Sequence, residues 1–166
     1  MTQFVGPELL RPDHSIEGFD CGDSALDWWL ASKARHNQTE NSSRTWVVTD
    51  GERVIAFYAS STAVILRSAA TKRSARNQPD PLPAVLLGRL AVDLAHQRQG
   101  LGAALLKHFI LKSLEVAEIT GVRVLLVHAQ DADVAAFYRR YGFEPSPIDD
   151  LTLMLLVKDI LPPQPS

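Results

Sequence analysis

Two glycines, Gly100 and Gly102, lie where an apolar run ends and a helical pattern begins. The run at 87–92 has the composition of a buried strand, and apolar residues recur at helical spacing from Leu101 onward. The start of a helix presents unpaired backbone N–H groups and the positive end of the helix dipole, which together attract phosphate. Because glycine has no Cβ, a diphosphate can approach the backbone closely. This spacing favours an anion-binding turn between strand and helix, although a plain tight turn fits the two glycines as well.

Several other chemistries do not fit the residues present. A Walker loop needs Gly-Lys-Ser/Thr, but Ala103 follows Gly102, and a dinucleotide fingerprint needs a small residue where Leu105 stands. The chain has no nucleophile elbow and no His/Cys/Asp/Glu cluster at metal-ligand spacing, so we expect neither hydrolase chemistry nor a metal. Further acid–base groups that stay open as alternatives are His128, Asp93 and Glu115, whereas surface positions are expected for His96 and His108.

Length and composition fit one globular domain over residues 1–166, with a frayed proline-rich tail at 161–166. A single cysteine, Cys21, excludes an intrachain disulfide and favours the reducing cytoplasm. Neither a signal peptide nor an apolar run of membrane-spanning length is present, so we expect a cytoplasmic protein with no membrane partner. The net charge is −2, yet the basic residues between 67 and 89 outnumber the acids there.

The secondary-structure pattern alternates strands and helices after an initial hairpin. It predicts strands at 4–10, 45–49, 53–66, 83–93, 122–128 and 151–157, and helices beginning near 23, at 99–120 and at 131–141. We expect a long exposed loop at 68–83 and a C′ glycine at Gly121. Trp28 is expected either under a neighbouring loop, which we favour, or in a contact surface. This alternation predicts an α/β (α+β) fold with a mixed sheet.

The longer pattern Gln97-x-x-Gly100-x-Gly102, preceded by residues 89–93, resembles the acetyl-CoA signature of the GCN5-related N-acetyltransferases (GNAT). Residues 136–143 resemble the second signature of that family. Seven positions before Tyr138, where the family frequently has an asparagine, this chain has Asp131. The resemblance implies the GNAT fold, a mixed central sheet with flanking helices that splays apart at the acetyl-CoA site. It also implies that the following residues bind this cofactor: Leu90, Ala91, Val92, Gln97, Arg98, Gln99, Gly100, Leu101, Gly102, Ala103 and Phe137.

Tyr138 is the candidate catalytic residue. Acetyl transfer from a thioester to an amine needs a neutral amine and a stabilised thiolate leaving group. A free α-amine has a pKa of about 8, so a strong base is unnecessary. A phenol with a pKa of about 10 can donate a hydrogen bond to the departing sulfur. Helical spacing alone fits a packing role for Tyr138. Its position between Phe137 and Phe143 favours a role as the acid that donates to the departing sulfur. Phe137 and Phe143 are themselves candidates for the core.

Within the GNAT family the chain resembles the tRNA-acetylating toxins of type II toxin–antitoxin systems. The segments that carry this resemblance are 19–22, 43–45, 76–83, 88–93 and 127–129. It implies acetylation of the α-amino group of aminoacyl-tRNA, which blocks translation, together with a ribbon-helix-helix antitoxin and a homodimer. Cations that could contact tRNA phosphates are Lys33, Arg35, Arg73, Arg76 and Arg89.

Two alternatives remain open at this point. One is a GNAT acetyltransferase of small amines or protein lysines, which would not require the arginines between 67 and 89. The other is a non-enzymatic CoA-binding scaffold, in which Tyr138 only packs. The basic residues also fit an ordinary solvated loop, and no RNP-type RNA-binding motif is present.

Overall fold

The computed structural model describes residues 3–160, which form strands β1–β7 and helices α1–α5. The strands are β1 (Phe4–Leu9), β2 (Arg44–Asp50), β3 (Arg53–Ile65), β4 (Leu82–Val92), β5 (Val124–His128), β6 (Glu144–Ser146) and β7 (Asp149–Leu156). The helices are α1 (Ser24–Ser32), α2 (Ala34–Thr39), α3 (Lys72–Ala75), α4 (Leu101–Ile119) and α5 (Ala132–Arg140).

The strands pair in the order β1-β2-β3-β4-β5-β7-β6. β4 and β5 pair in parallel, whereas β1–β2, β2–β3, β5–β7 and β6–β7 pair antiparallel, so the mixed sheet of the sequence analysis is confirmed. The β4–β5 ladder ends at Leu87↔Val127, although β4 continues to Val92. Residues 88–92 therefore lie beyond the part of β4 that pairs with β5, and they include Leu90, Ala91 and Val92, the residues predicted to bind acetyl-CoA.

Contacts divide the chain into two compact units, and β3 and β4 contribute to both. The first unit holds the residues up to Ser61 together with Gly88–Phe109, and the second holds Thr62–Leu87 and the residues from Ile110 onward. The single domain over 1–166 stays a prediction, and the tail at 161–166 lies outside the described residues.

The core of the first unit forms where α1 packs on β2 and β3. Asp23 caps α1 by accepting hydrogen bonds from the backbone N–H groups of Ala25 and Leu26. Gly6, with a φ of +120°, lets β1 approach β2, because a Cβ there would lie 2.4 Å from the carbonyl oxygen of Val47. The buried side chains of this core include Leu10, Phe19, Trp29, Leu30, Ala34, Val47, Val54 and Phe57.

The core of the second unit lies on β5 and β7. All the residues of β5 except His128 are buried, as expected of a strand with neighbours on both sides. α5 begins at its cap Asp131 and is followed by Gly142 at a φ of +92°, as the sequence predicts. The buried side chains of this core include Leu82, Val124, Leu126, Met154 and Leu156.

Three local predictions are wrong. Residues 68–83 are not one exposed loop, because Thr71 caps α3 and both Ser74 and Ala75 are buried. Gly121 does not have a positive φ, so it is not a left-handed C′ residue. No loop within residues 3–160 covers Trp28, which is 58% exposed, so the favoured loop is wrong. The helix predicted to begin near residue 23 is α1, which ends at Ser32 and is followed by α2 from Ala34.

Candidate active site

The predicted anion turn, residues 97–103, lies in the first unit. A 3-10 turn at Leu94–His96 follows β4, and α4 begins at Leu101. Gly100 adopts a φ of +79°, which glycine accepts without strain. The carbonyl of Gly100 accepts the N–H of Ala104 at 3.1 Å, while the N–H groups of Leu101, Gly102 and Ala103 find no acceptor among residues 3–160. This is the local arrangement that binds phosphate at a helix start.

Asp93 holds the approach to this turn in place. Its carboxylate is 3% exposed and accepts the backbone N–H groups of Asp20 at 3.1 Å and Ala95 at 3.2 Å. It also lies 3.2 Å from Nδ1 of His96 and 3.6 Å from the guanidinium of Arg53. Burial opposes ionisation, but the hydrogen bonds from Asp20, His96 and Ala95 outweigh it and lower the pKa of Asp93. Asp93 is therefore a structural carboxylate here, and His96 is its partner.

The segment at residues 19–22 is tied to the same place. The carbonyl of Asp20 accepts the N–H of Leu94 at 2.8 Å, and Nε2 of Gln97 donates to the carbonyl of Val92 at 3.0 Å. Cys21 donates its backbone N–H to the Asp27 carboxylate at 3.0 Å. Burial and this nearby carboxylate raise the pKa of the Cys21 thiol to about 12.

Arg89 of β4 is held by an aromatic ring. Its guanidinium carbon lies 4.3 Å from the centroid of Trp29, whose other neighbour is Phe57, stacked at 6.1 Å. Partial burial lowers the pKa of Arg89, and no carboxylate among residues 3–160 pairs with it. A half-buried guanidinium without an internal counter-ion can bind an anion from outside.

The two other cations predicted in the first unit differ from each other. Lys33 places its ammonium 5.7 Å from the ring centroid of Trp28 and is exposed. Arg35 donates hydrogen bonds to the carbonyls of His14 at 2.5 Å and Arg11 at 3.4 Å. Arg35 thus fixes the chain that follows β1, a contact that the sequence could not indicate.

Tyr138 lies in α5, in the second unit. It is 1% exposed, and its ring packs against Phe137 at 5.4 Å and Phe143 at 5.8 Å. Burial raises the pKa of the Tyr138 phenol above its usual value, so the group is protonated at neutral pH. Its hydroxyl makes no hydrogen bond to any residue between 3 and 160. Asp131, the departure from the family pattern, uses its carboxylate to cap α5 through the N–H of Val134.

The basic residues of the second unit also differ in their availability. Arg73 forms an ion pair with Asp159, so its charge is largely neutralised. Arg76 directly follows α3 and is exposed, and no side chain among the described residues pairs with its guanidinium. Of the two predicted tRNA contacts in this unit, Arg76 is the one whose guanidinium forms no ion pair within the described residues.

One of the histidines takes another position than expected. His108 is not a simple surface residue, because its Nδ1 lies 2.6 Å from the hydroxyl of Tyr58 and its ring lies 4.7 Å from that of Trp46. His128 is exposed and contacts the hydroxyl of Thr152 at 3.2 Å.

Residues 3–160 contain no group of three His, Cys, Asp or Glu side chains suited to a metal ion. Nor does any helix in that range have the length and apolar character needed to cross a bilayer.

Residues 41–145 match the family model described as Acetyltransferase (GNAT) domain. The chain belongs to the GNAT acetyltransferases. Both the resemblance and the fold expected from residues 89–103 and 136–143 are confirmed. As a family member the chain is an N-acetyltransferase that takes its acetyl group from acetyl-CoA.

Similar proteins narrow the relationship. A curated relative from Mycobacterium tuberculosis, the tRNA-acetylating toxin, is 38% identical over 159 residues, which cover 96% of each chain. Among solved structures, AtaT complexed with acetyl-methionyl-tRNAfMet matches with a TM-score of 0.85 and 26% identity, covering 96% of this chain and 97% of that one. A mutant of AtaT bound to the C-terminus of the antitoxin AtaR and acetyl-CoA matches with a TM-score of 0.78 and 26% identity, covering 95% and 94%.

Proposed function

We propose that this GNAT enzyme transfers the acetyl group of acetyl-CoA to the α-amino group of an aminoacyl-tRNA and thereby stops translation. The observation that carries this proposal is the 38% identity with a tRNA-acetylating toxin over 96% of both chains. The match to AtaT complexed with acetyl-methionyl-tRNAfMet supports the same substrate class. A blocked α-amine cannot accept a peptide, so the product is lost to elongation and cell growth stops.

The cofactor-binding part of the proposal rests on the turn at residues 97–103. The free N–H groups of Leu101, Gly102 and Ala103 suit the diphosphate of acetyl-CoA, with Gln97, Gln99 and Gly100 lining the same turn and Arg98 as a charge partner. The backbone of Leu90, Ala91 and Val92 would pair with the pantetheine as an added strand does. Phe137 would lie beside the cofactor.

The chemical part rests on Tyr138. The neutral α-amine forms a C–N bond with the thioester carbonyl carbon, the C–S bond breaks, and the proton released by the amine ends on the thiol of CoA. A thiol has a pKa of about 8.5, well below that of a buried phenol, so full proton transfer from Tyr138 is uphill. Tyr138 therefore acts as a hydrogen-bond donor that stabilises the developing thiolate, and its unpartnered hydroxyl is suited to this.

The tRNA-binding part rests on charge. Arg89 and Arg76 have no internal counter-ion among the described residues and are the strongest candidates for phosphate contacts. Lys33, which is exposed, is a further candidate. Arg73 and Arg35 would contribute less, because Asp159 neutralises the first and backbone carbonyls hold the second.

The same proposal includes the partners and the compartment. Since AtaT is found with the C-terminus of its antitoxin, we expect a cognate antitoxin, of the ribbon-helix-helix type, that covers this site. We also expect a homodimer and a cytoplasmic location, where charged tRNA is found.

One assay tests the proposal. The purified protein is incubated with acetyl-CoA labelled in the acetyl group and with total aminoacyl-tRNA, and the RNA-bound label is counted. Mild base then releases N-acetyl amino acids, which mass spectrometry identifies. We expect label on charged tRNA and none on the same tRNA after deacylation. Label found only on small amines or protein lysines would contradict the proposal and favour that alternative.

A further inference from the structure

The first helix of the chain carries an exposed tryptophan. Trp28 and Trp29 are adjacent in α1, yet Trp29 is 5% exposed and Trp28 is 58% exposed. Trp29 belongs to the core, whereas the indole of Trp28 is largely in contact with water. Exposing so large an apolar ring is unfavourable, and tryptophan is enriched at interfaces, where its ring packs against a partner.

Positive charge accompanies both tryptophans. The ammonium of Lys33 lies 5.7 Å from the ring centroid of Trp28, and the guanidinium of Arg89 lies 4.3 Å from that of Trp29. Neither cation forms an ion pair with a carboxylate in the described part of the chain. The two tryptophans of α1 therefore each have a cation against the ring, and neither cation has a carboxylate counter-ion among residues 3–160.

We propose that Trp28 is a stacking platform for an unpaired base at the 3′ end of the substrate RNA, with Lys33 and Arg89 binding the phosphates beside it. This inference rests on the proposed function and specifies how the substrate is held. The amino acid of an aminoacyl-tRNA is esterified to a terminal unpaired nucleotide, so the bases next to the reacting amine are free to stack. Proteins bind single-stranded nucleic acid with aromatic rings that stack on bases and with cations that bind phosphates, and Trp28 with Lys33 against its ring is a pair of this kind.

A protein partner is the competing explanation for an exposed tryptophan. The charges favour RNA, because a flexible lysine and a stacked arginine are both suited to phosphate oxygens. Lys33 and Arg89 alone would bind any phosphate backbone, so a preference for an unpaired end over a duplex would have to come from Trp28.

The test compares two RNA probes with the full-length protein. One is a blunt RNA duplex of acceptor-stem length, and the other is the same duplex with an unpaired 3′ ACCA end. Dissociation constants are measured for the wild type, Trp28→Ala and Trp28→Phe, with Ile119→Ala as the matched control because Ile119 is an apolar helix residue that is 87% exposed. We expect the unpaired end to strengthen wild-type binding about tenfold, and Trp28→Ala to lose most of that gain.

The remaining expectations separate this inference from the proposed function. In Trp28→Phe, the increase in affinity given by the unpaired 3′ end should lie within about threefold of the wild-type increase. All variants should bind the blunt duplex with equal affinity. In the acetylation assay, Trp28→Ala should raise the KM for aminoacyl-tRNA about tenfold and leave the KM for acetyl-CoA unchanged. If the wild type acetylates aminoacyl-tRNA but Trp28→Ala binds both probes as the wild type does, the platform is refuted and the function stands. If the wild type acetylates no RNA, both fail.

Discussion

The substitution Tyr138→Phe tests the chemistry most directly, because it removes one oxygen atom and keeps the ring. The contacts with Phe137 and Phe143 stay, and the hydroxyl has no hydrogen bond within residues 3–160 to lose. Protein stability should therefore be unchanged or rise by up to about 1 kcal/mol. A donor that stabilises charge only in the transition state contributes about 3–4 kcal/mol, so kcat should fall about 100-fold to 1000-fold.

The measurement is the steady-state rate of CoA release with aminoacyl-tRNA, together with urea unfolding of each variant. Tyr58→Phe is the matched control, since Tyr58 is also a buried tyrosine whose pKa is raised by burial. This control breaks a 2.6 Å hydrogen bond to His108, so it should lose about 1 kcal/mol of stability while keeping its kcat. The KM for acetyl-CoA should change less than about threefold in Tyr138→Phe, because ground-state binding does not use the hydroxyl.

A kcat of Tyr138→Phe within about threefold of the wild type would refute a catalytic role for the hydroxyl. The pH dependence gives a second check. Since burial raises the pKa of Tyr138, the rate should rise to a plateau as the amine loses its proton near pH 8, with no decline below about pH 10. The rates are initial rates, corrected for base hydrolysis of the aminoacyl ester and the thioester; a decline that persists between about pH 8 and 10 would contradict a phenol pKa raised by burial.

Three further predictions follow from the same contacts. Gly100→Ala should raise the KM for acetyl-CoA about tenfold and lower stability by about 1 kcal/mol. Gly18→Ala is the control, because Gly18 has the same φ of +79° and an equally open Cβ position; it should lose the same stability with no change in KM. Asp93→Asn should lower the free energy of unfolding by about 1–3 kcal/mol at pH 7 in urea titrations. The pKa of Asp93 is lower in the folded state than in the unfolded state. The stability advantage of the wild type should therefore be constant above about pH 5 and disappear as the pH falls through the folded-state pKa. Arg76→Gln should reduce the salt dependence of tRNA binding by about one phosphate contact, and Arg73→Gln should reduce it less, a ranking that equal slopes would overturn.

The parts of the site that the sequence predicts well are those encoded locally. Gly100 and the helix that begins at Leu101 follow from glycine spacing and helical periodicity, and the burial of Tyr138 follows from its spacing within α5. The hairpin between β2 and β3 follows from its Asp-Gly turn in the same way.

What the sequence could not predict depends on partners far away along the chain. Asp93 accepts the N–H of Asp20, 73 positions earlier, and His108 meets Tyr58 across 50 positions. The pairing of Arg73 with Asp159 spans 86 positions, so the sequence could not separate Arg73 from Arg76. α3 was missed because a four-residue helix is too short for periodicity to show, and tertiary burial of Ser74 and Ala75 stabilises it.

The chain contains a single cysteine, and this gives the enzyme a built-in chemical reporter. Because the thiol of Cys21 has a pKa raised to about 12, very little thiolate is present at neutral pH, and alkylating reagents should react slowly with the folded protein. Local opening of residues 19–22 would restore an ordinary thiol and speed the reaction. The alkylation rate of the unmodified protein therefore measures how often the segment held by Asp93 detaches, and a slower rate with added acetyl-CoA would show that the ligand holds it closed.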